Sequence, residues 1–324
     1  MKRKSRLALV VLAGAALIAG GVAYRHYCLG ALPAGEGPAG PPVDRAAFEK
    51  PWTTRKVLLL GLGDSITAGF GVPREKSYFS RLYENPPDEF PDMRDINLRA
   101  VLPNLTERNL SVSGSTSLNH VEHIRGKLVV QPRDVFGLVV MTTGGNDLIH
   151  NYGRTPPREG AMYGATLEQA KPWIANFEKR LDRMVDLIEE RFPGGCAIFL
   201  ADIYDPTDGV GDAPTAGLPD WPDAMKLLSA YNRIIHRCAE RRESVQLVPI
   251  HATFLGHGIH CREPWREHYR RDAPHYWYHQ NLEDPNARGY DAIRRLFLIE
   301  MVKARNKLVK SPKDSLEEGN SNLH

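Results

Sequence analysis

The sequence predicts an α/β domain, a parallel sheet wrapped on both sides by helices. Three observations predict it. Apolar runs of strand length alternate with segments of helical periodicity. The runs are continuously apolar, as strands buried on both faces are. Two of them end in glycines, where a loop leaves the sheet edge.

Taken in order, "KVLLLGLG" is the first strand and "LTERNLSVSG" offers a second, weaker one. "VFGLVVMTTGG" is the third, "CAIFLADI" the fourth and "VQLVPI" the fifth. Between the third and fourth, Ile174, Phe177, Leu181, Met184, Val185, Ile188 and Phe192 recur on one helical face, and Pro193-Gly194-Gly195 ends that helix. A second helix runs from about Asp223 to Arg242, with Leu227, Leu228, Tyr231, Ile234, Ile235 and Cys238 on its face. A last one runs from about Ala287 to Lys303.

The N-terminus has a different character. Lys2, Arg3, Lys4 and Arg6 precede an uncharged run from Leu7 to Ala23, the pattern of a targeting segment. Gly21 and Ala23 suit the −3 and −1 positions of a cleavage site, and retention as an N-terminal anchor is the other reading. Either places the body outside the cytoplasm, periplasmic or extracellular. "LGALPAGEGPAGPPVD" then reads as a linker. The expected organisation is a signal peptide or membrane anchor over 1–28, a Pro/Gly-rich linker over 29–51, one domain over 52–306 and a polar tail over 307–324.

Of 42 Lys/Arg and 39 Asp/Glu, five Lys/Arg and no acid fall in residues 1–30, leaving 37 against 39 and a net of −2. The overall charge of +3 therefore argues for no nucleic-acid partner. Cys28, Cys196, Cys238 and Cys261 show neither a disulfide framework nor a CxxC spacing, so no zinc site is expected.

Three loops follow the C-terminal ends of the first three strands, the edge where open α/β sheets bind ligands. In "GLGDSITAGFG", Ser65 stands near a helix N-terminus that favours developing negative charge, although Asp and Ser are also ordinary N-caps. In "NLSVSGSTS", Gly114 serves a tight turn or turns its N–H toward an oxyanion. In "TTGGNDL", Asn146 belongs to a plain turn or offers an amide donor.

Together the three are far more specific than any one. With "GDSIT", "NLSVSGSTS" and "GGND" in order, the chain resembles the SGNH hydrolase superfamily, the GDSL-type lipases and esterases. The resemblance implies a flavodoxin-like three-layer α/β/α fold. It implies Ser65 as nucleophile, with the N–H groups of Ser65 and Gly114 and the Asn146 side chain as an oxyanion hole. A serine hydroxyl needs an adjacent base, a histidine that takes its proton and returns it to the leaving alcohol, and an acid orients that histidine. No metal or organic cofactor is needed.

That family ends in Asp-x-x-His, usually followed by Pro and often Asn. Here the signature reads as divided. Gly258-Ile259-His260 carries one half, Pro285-Asn286 the other, with residues 261–284 between them as an insertion of 24 residues. His251, His257, His260, His268, His275 and His279 compete for the base. His260 is favoured, with Asp284 returning to orient it; His257 and His279 are the rivals.

Two further insertions, His150 to Thr166 and Tyr204 to Asp223, leave the same edge and would wall the pocket. Asp205, Asp208 and Asp212 in the second lack EF-hand spacing and read as a solvated acidic loop. The expected activity is ester hydrolysis on a small-molecule, glycan or lipid ester, with contact to a membrane through an uncleaved leader. An acyltransferase and a non-catalytic carbohydrate- or lipid-binding module on the same fold are the alternatives. A nucleotide binder is disfavoured, since there is neither G-x-G-x-x-G nor a P-loop lysine.

Overall fold

The computed structural model describes residues 2–24 and 31–309. Its elements in chain order are α1 (Lys2–Tyr24), β1 (Lys56–Leu62), α2 (Ser65–Ala68), α3 (Tyr78–Tyr83), α4 (Leu98–Val101), β2 (Leu105–Asn109), α5 (Ser117–Lys127), β3 (Val135–Met141), α6 (Gly145–Ile149), α7 (Leu167–Arg191), β4 (Cys196–Ala201), α8 (Ala224–Arg241), β5 (Val245–Val248), α9 (Ile250–Phe254), α10 (Ala287–Ala304) and α11 (Asn306–Val309). The five strands are all parallel, in the order β2-β1-β3-β4-β5. This is the flavodoxin-like order, with the reversal between β1 and β3.

The sheet explains its own sequence. Successive side chains of β1 point to opposite faces. Val57 and Leu59 pack with Leu138 and Val140 beneath α3 and α10. Leu58, Leu60 and Leu62 pack with Val139 and Met141 beneath α5, α7 and α8. Both faces are covered, so the strand is continuously apolar. β2 lies at an edge and is partly exposed, which is why "LTERN" is a weak strand signal.

α7 begins seven residues before Ile174, at a capping box. Thr166 Oγ1 accepts the N–H of Gln169 at 3.2 Å, and Gln169 Oε1 accepts the N–H of Thr166 at 2.9 Å. α5 was not expected from the sequence. It buries only Ser117, His120 and Ile124, too thin a stripe for a periodic signal.

The N-terminal region departs from expectation at the linker. Among the described residues no helix is long and apolar enough to cross a membrane. The linker, from residue 31, is no free spacer but a strap laid on the body. Tyr276 N–H donates to Pro33 O at 2.7 Å, and the Arg288 guanidinium donates to Ala34 O at 3.0 Å and Pro38 O at 3.2 Å. Ala39 N–H donates to Asp291 Oδ2 at 2.9 Å. Gly40, at φ +92, crosses α10 where a Cβ would stand 2.7 Å from the Ala292 backbone. Cys28 and most of the polar tail lie outside the described residues.

Candidate active site

β1 delivers Ser65 to the sheet edge through a turn that only glycine allows. A Cβ on Gly63, at φ +124, would meet Thr142 O at 2.1 Å. Asp64 then caps α2, accepting the Ile66 N–H at 3.1 Å and the Thr142 hydroxyl at 2.8 Å. Thr142 also meets Thr67 at 2.9 Å, which meets the Tyr78 hydroxyl at 2.7 Å, so a buried hydroxyl chain fixes the turn. Burial pushes the Asp64 carboxyl up to about 6, despite these donors. Ser65, the first residue of α2, faces a cavity.

The second and third loops lie beside it. Val112 N–H donates to Gly63 O at 2.9 Å, and Gly114, at φ +77, is exposed, so that a Cβ there would meet nothing within 4 Å. Ser115 Oγ meets Val112 O at 2.6 Å and His120 Nε2 at 2.8 Å, and His120 Nδ1 meets Thr143 Oγ1 at 2.8 Å. Burial lowers His120 to about 3, so this imidazole is neutral and ties the glycine loop to the end of β3. Asn146 Nδ2 donates to Ser115 O at 2.9 Å and lines the cavity beside Ser65. Asp147, fully buried, receives the Ser117 N–H at 2.7 Å and the Ser117 hydroxyl, and so pins the start of α5. Ser65, Gly114 and Asn146 thus share one edge of the sheet.

His260 and Asp284 are not brought together. His260 has both ring nitrogens occupied, Nδ1 by Glu263 at 2.8 Å and Nε2 by Asp212 at 2.8 Å. Neither nitrogen remains for Ser65, and Asp284 is not its partner, which corrects the divided-signature reading. The rival His257 stacks on Trp277 with ring centroids 3.4 Å apart, and its Nδ1 meets His275 O at 2.9 Å. Burial lowers it to about 4. His279 packs edge-on to Phe70 and beside Gly71.

Asp284 is the group that lies against Ser65. Its buried carboxyl is raised above the usual carboxylate range by desolvation, with the Ser65 hydroxyl and the Asn281 amide acting the other way as hydrogen-bond partners. Asn281 Nδ2 donates to Oδ2 at 2.7 Å, while Oδ1 is buried with no aligned donor. Oδ1 thus takes no hydrogen bond of ordinary geometry from Ser65. Asn281 was missed in the sequence, although it stands three residues before Asp284, in the register of the family's aspartate.

The two insertions do wall the cavity. Tyr152 and Tyr163 come from one, and Tyr204, Ala213, Leu218 and Trp221 from the other. With Ile203, Met225, Leu228 and Ile250 they enclose about 1150 Å³, open mouth included, behind Ser65. The Tyr152 hydroxyl donates to the Glu283 carboxylate, and the Tyr204 hydroxyl to the Glu283 carbonyl, so both insertions are fastened to the residue beside Asp284. The acidic loop is not solvated. Asp205 and Asp208 are each 3% exposed. Asp208 accepts the N–H groups of Gly256, Gly258 and His260 at 2.8–3.0 Å, and so organises the turn that carries His260. Among the described residues no group of His, Cys, Asp or Glu is arranged to hold a metal ion.

The family model described as GDSL-like Lipase/Acylhydrolase matches residues 62–292. No curated protein gives a match. Solved structures similar to this chain include an acetylxylan esterase from Geobacillus stearothermophilus, at 17% identity and TM-score 0.48 over 77% of this chain and 96% of that one. They include a putative GDSL-like lipase from Parabacteroides merdae, at 14% identity and TM-score 0.49 over 79% and 99%. A psychrotrophic esterase from Pseudoalteromonas sp. is similar at 16% identity and TM-score 0.45 over 77% and 98%.

Proposed function

The chain belongs to the GDSL-like lipase/acylhydrolase family, and on that premise we propose that it hydrolyses carboxylic esters through an acyl-enzyme on Ser65. One observation carries the reading: Ser65, at the first position of α2, opens onto an apolar cavity beside the Asn146 amide. The hydroxyl attacks the ester carbonyl. The oxyanion so formed is held by the N–H groups of Ser65 and Gly114 and by Asn146 Nδ2. The acyl group lies in the cavity, whose Leu148, Trp221, Met225 and Leu228 suit an alkyl or aryl chain better than a free sugar. The basic leader ahead of an uncharged run supports a place outside the cytoplasm.

Purified full-length protein is expected to hydrolyse p-nitrophenyl butyrate and to be labelled by a fluorophosphonate probe on Ser65, read by peptide mass spectrometry. Ser65→Ala is expected to abolish both. An unlabelled Ser65 together with no ester turnover sinks the reading. One observation favours a second reading, a lipid-binding module: the position beside Ser65 holds a carboxylate where the family has an imidazole. Retention of an acyl ligand by protein that never turns it over would support that alternative.

A further inference from the structure

Resting on Ser65 as the nucleophile, we propose that its proton is taken by the carboxylate of Asp284, oriented by Asn281, and that no histidine takes part. The terminal signature is then not divided at all. Asn281-Leu282-Glu283-Asp284-Pro285-Asn286 aligns without a gap on Asp-x-x-His-Pro-Asn, with both chemistry-bearing positions changed together.

The two changes require each other. In the family pattern the acid accepts the imidazole N–H, and the other imidazole nitrogen accepts the serine proton. A carboxylate at the base position offers only lone pairs, so its orienting partner must donate. Asn281 does so, through Nδ2 to Asp284 Oδ2 at 2.7 Å. An aspartate there would instead set two like charges side by side. Ser65 stands close enough to the carboxyl to weigh on its proton affinity, without a hydrogen bond of ordinary geometry between them. Buried Oδ1, which no donor meets, has the free lone pairs.

Burial makes this a stronger base than an ordinary aspartate, against the lowering effect of the nearby His279. Asp64 faces it from the β1–α2 turn, Tyr152 and Tyr204 from the two insertions, Tyr290 from α10, and Glu283 and His279 from its own segment. Among the described residues no lysine or arginine pairs with it. Three competing imidazoles are engaged elsewhere: His251 with Ile203 O at 2.9 Å, His257 with a carbonyl, His260 with two carboxylates, while His279 packs edge-on to Phe70.

As Ser65 Oγ bonds to the acyl carbon, its proton passes to Asp284 and the carbonyl electron pair moves to oxygen. The ester C–O bond then breaks, and Asp284 returns the proton to the departing alkoxide. Water repeats the sequence: it gives a proton to Asp284 as its oxygen bonds to the acyl carbon. Ser65 Oγ leaves and takes that proton back, so ester and water yield acid and alcohol.

The test uses full-length protein, p-nitrophenyl butyrate, the fluorophosphonate probe and thermal melts. Asp284→Asn is expected to lower kcat by roughly 10²–10⁴-fold with the melt retained. Asp284→Ala is expected to regain turnover with added formate and not with imidazole. His279→Ala and His260→Gln should turn over like the native enzyme. Below about 6.5, the ordinary imidazole value, native kcat/KM should hold where Asn281→Asp/Asp284→His loses it. Native turnover in Asp284→Asn, or a native limb near that imidazole value that vanishes in His279→Ala, overturns the proposal while Ser65 labelling stands. A native protein neither labelled nor active removes both readings together.

Discussion

Seven residues apart on the chain, Asp284 and Asp291 sit in two clusters of buried acids that meet opposite conditions. Around Asp291, Arg294 Nε donates at 2.8 Å and Arg295 Nε at 3.2 Å. Glu89, in the same cluster, takes Arg294 at 2.5 and 2.9 Å and Arg81 at 2.6 and 3.1 Å. Burial alone would raise Glu89, but these guanidinium groups hold it down at about 2. Around Asp284 there are Asp64 and Glu283 and, among the described residues, no arginine or lysine partner. Burial raises all three. Equal burial with and without counter-charge gives opposite proton affinities. The paired cluster joins α10 to α3 and to Asp92, whereas the unpaired one borders the cavity. An uncompensated acid costs stability, and its presence beside Ser65 is what a site that moves protons requires.

The sharpest way to break this contrast is to unpair the paired cluster. Arg294→Met takes one of two guanidinium partners from both Glu89 and Asp291 in the core, with an expected loss of roughly 3–5 kcal/mol in chemical denaturation. Protein that remains folded should keep its pH–rate profile. At the other cluster, Asn146→Ala is expected to lower kcat by about 10²–10³-fold, or roughly 2.7–4 kcal/mol, with no comparable change in the melt. A change in KM alone would remove Asn146 from the oxyanion hole.

Stability against pH should separate the clusters by sign. The Asp64 penalty is full above about 6 and is relieved as pH falls toward its ordinary 3.8, so acidification over that window stabilises. The Glu89 contribution is full above its ordinary 4.5 and is lost as pH falls through about 2, so acidification there destabilises. Asp64→Asn keeps the helix cap and should flatten the upper limb of the melting curve against pH; Glu89→Gln should flatten the lower. Equal slopes in both variants would end the comparison. The smallest effect is expected of Tyr152→Phe, which removes one hydrogen bond to Glu283. It should cost about 1 kcal/mol in denaturation, with a modest rise in KM.

Most of the fold could be read from sequence because strands buried on both faces leave continuous apolar runs and α7, α8 and α10 bury broad stripes. α5 left no such trace, since its anchoring rests on Ser117 and Asp147, not on a stripe. In the site, the glycines and polar residues of three loops were legible because tight turns restrict residue choice. The base was not. His260 drew the reading by resemblance to half a motif, and only Asp208 and the carboxylates around it explain why a histidine stands there. The change from Asp-x-x-His to Asn-x-x-Asp hides in sequence because each residue alone looks like a loss. Their meaning appears when the amide and the carboxylate are seen 2.7 Å apart.

The strap has a consequence for how the chain is made. Ala39 binds Asp291 across 252 residues, and Arg288 reaches Ala34 and Pro38 across 254 and 250. Contacts of such separation are the slowest to close. During synthesis residues 31–44 emerge about 250 residues before their seat on α10. The segment nearest the start of the body is therefore among the final parts to dock. A chain halted before α10 would leave both the strap and Asp284 without their places.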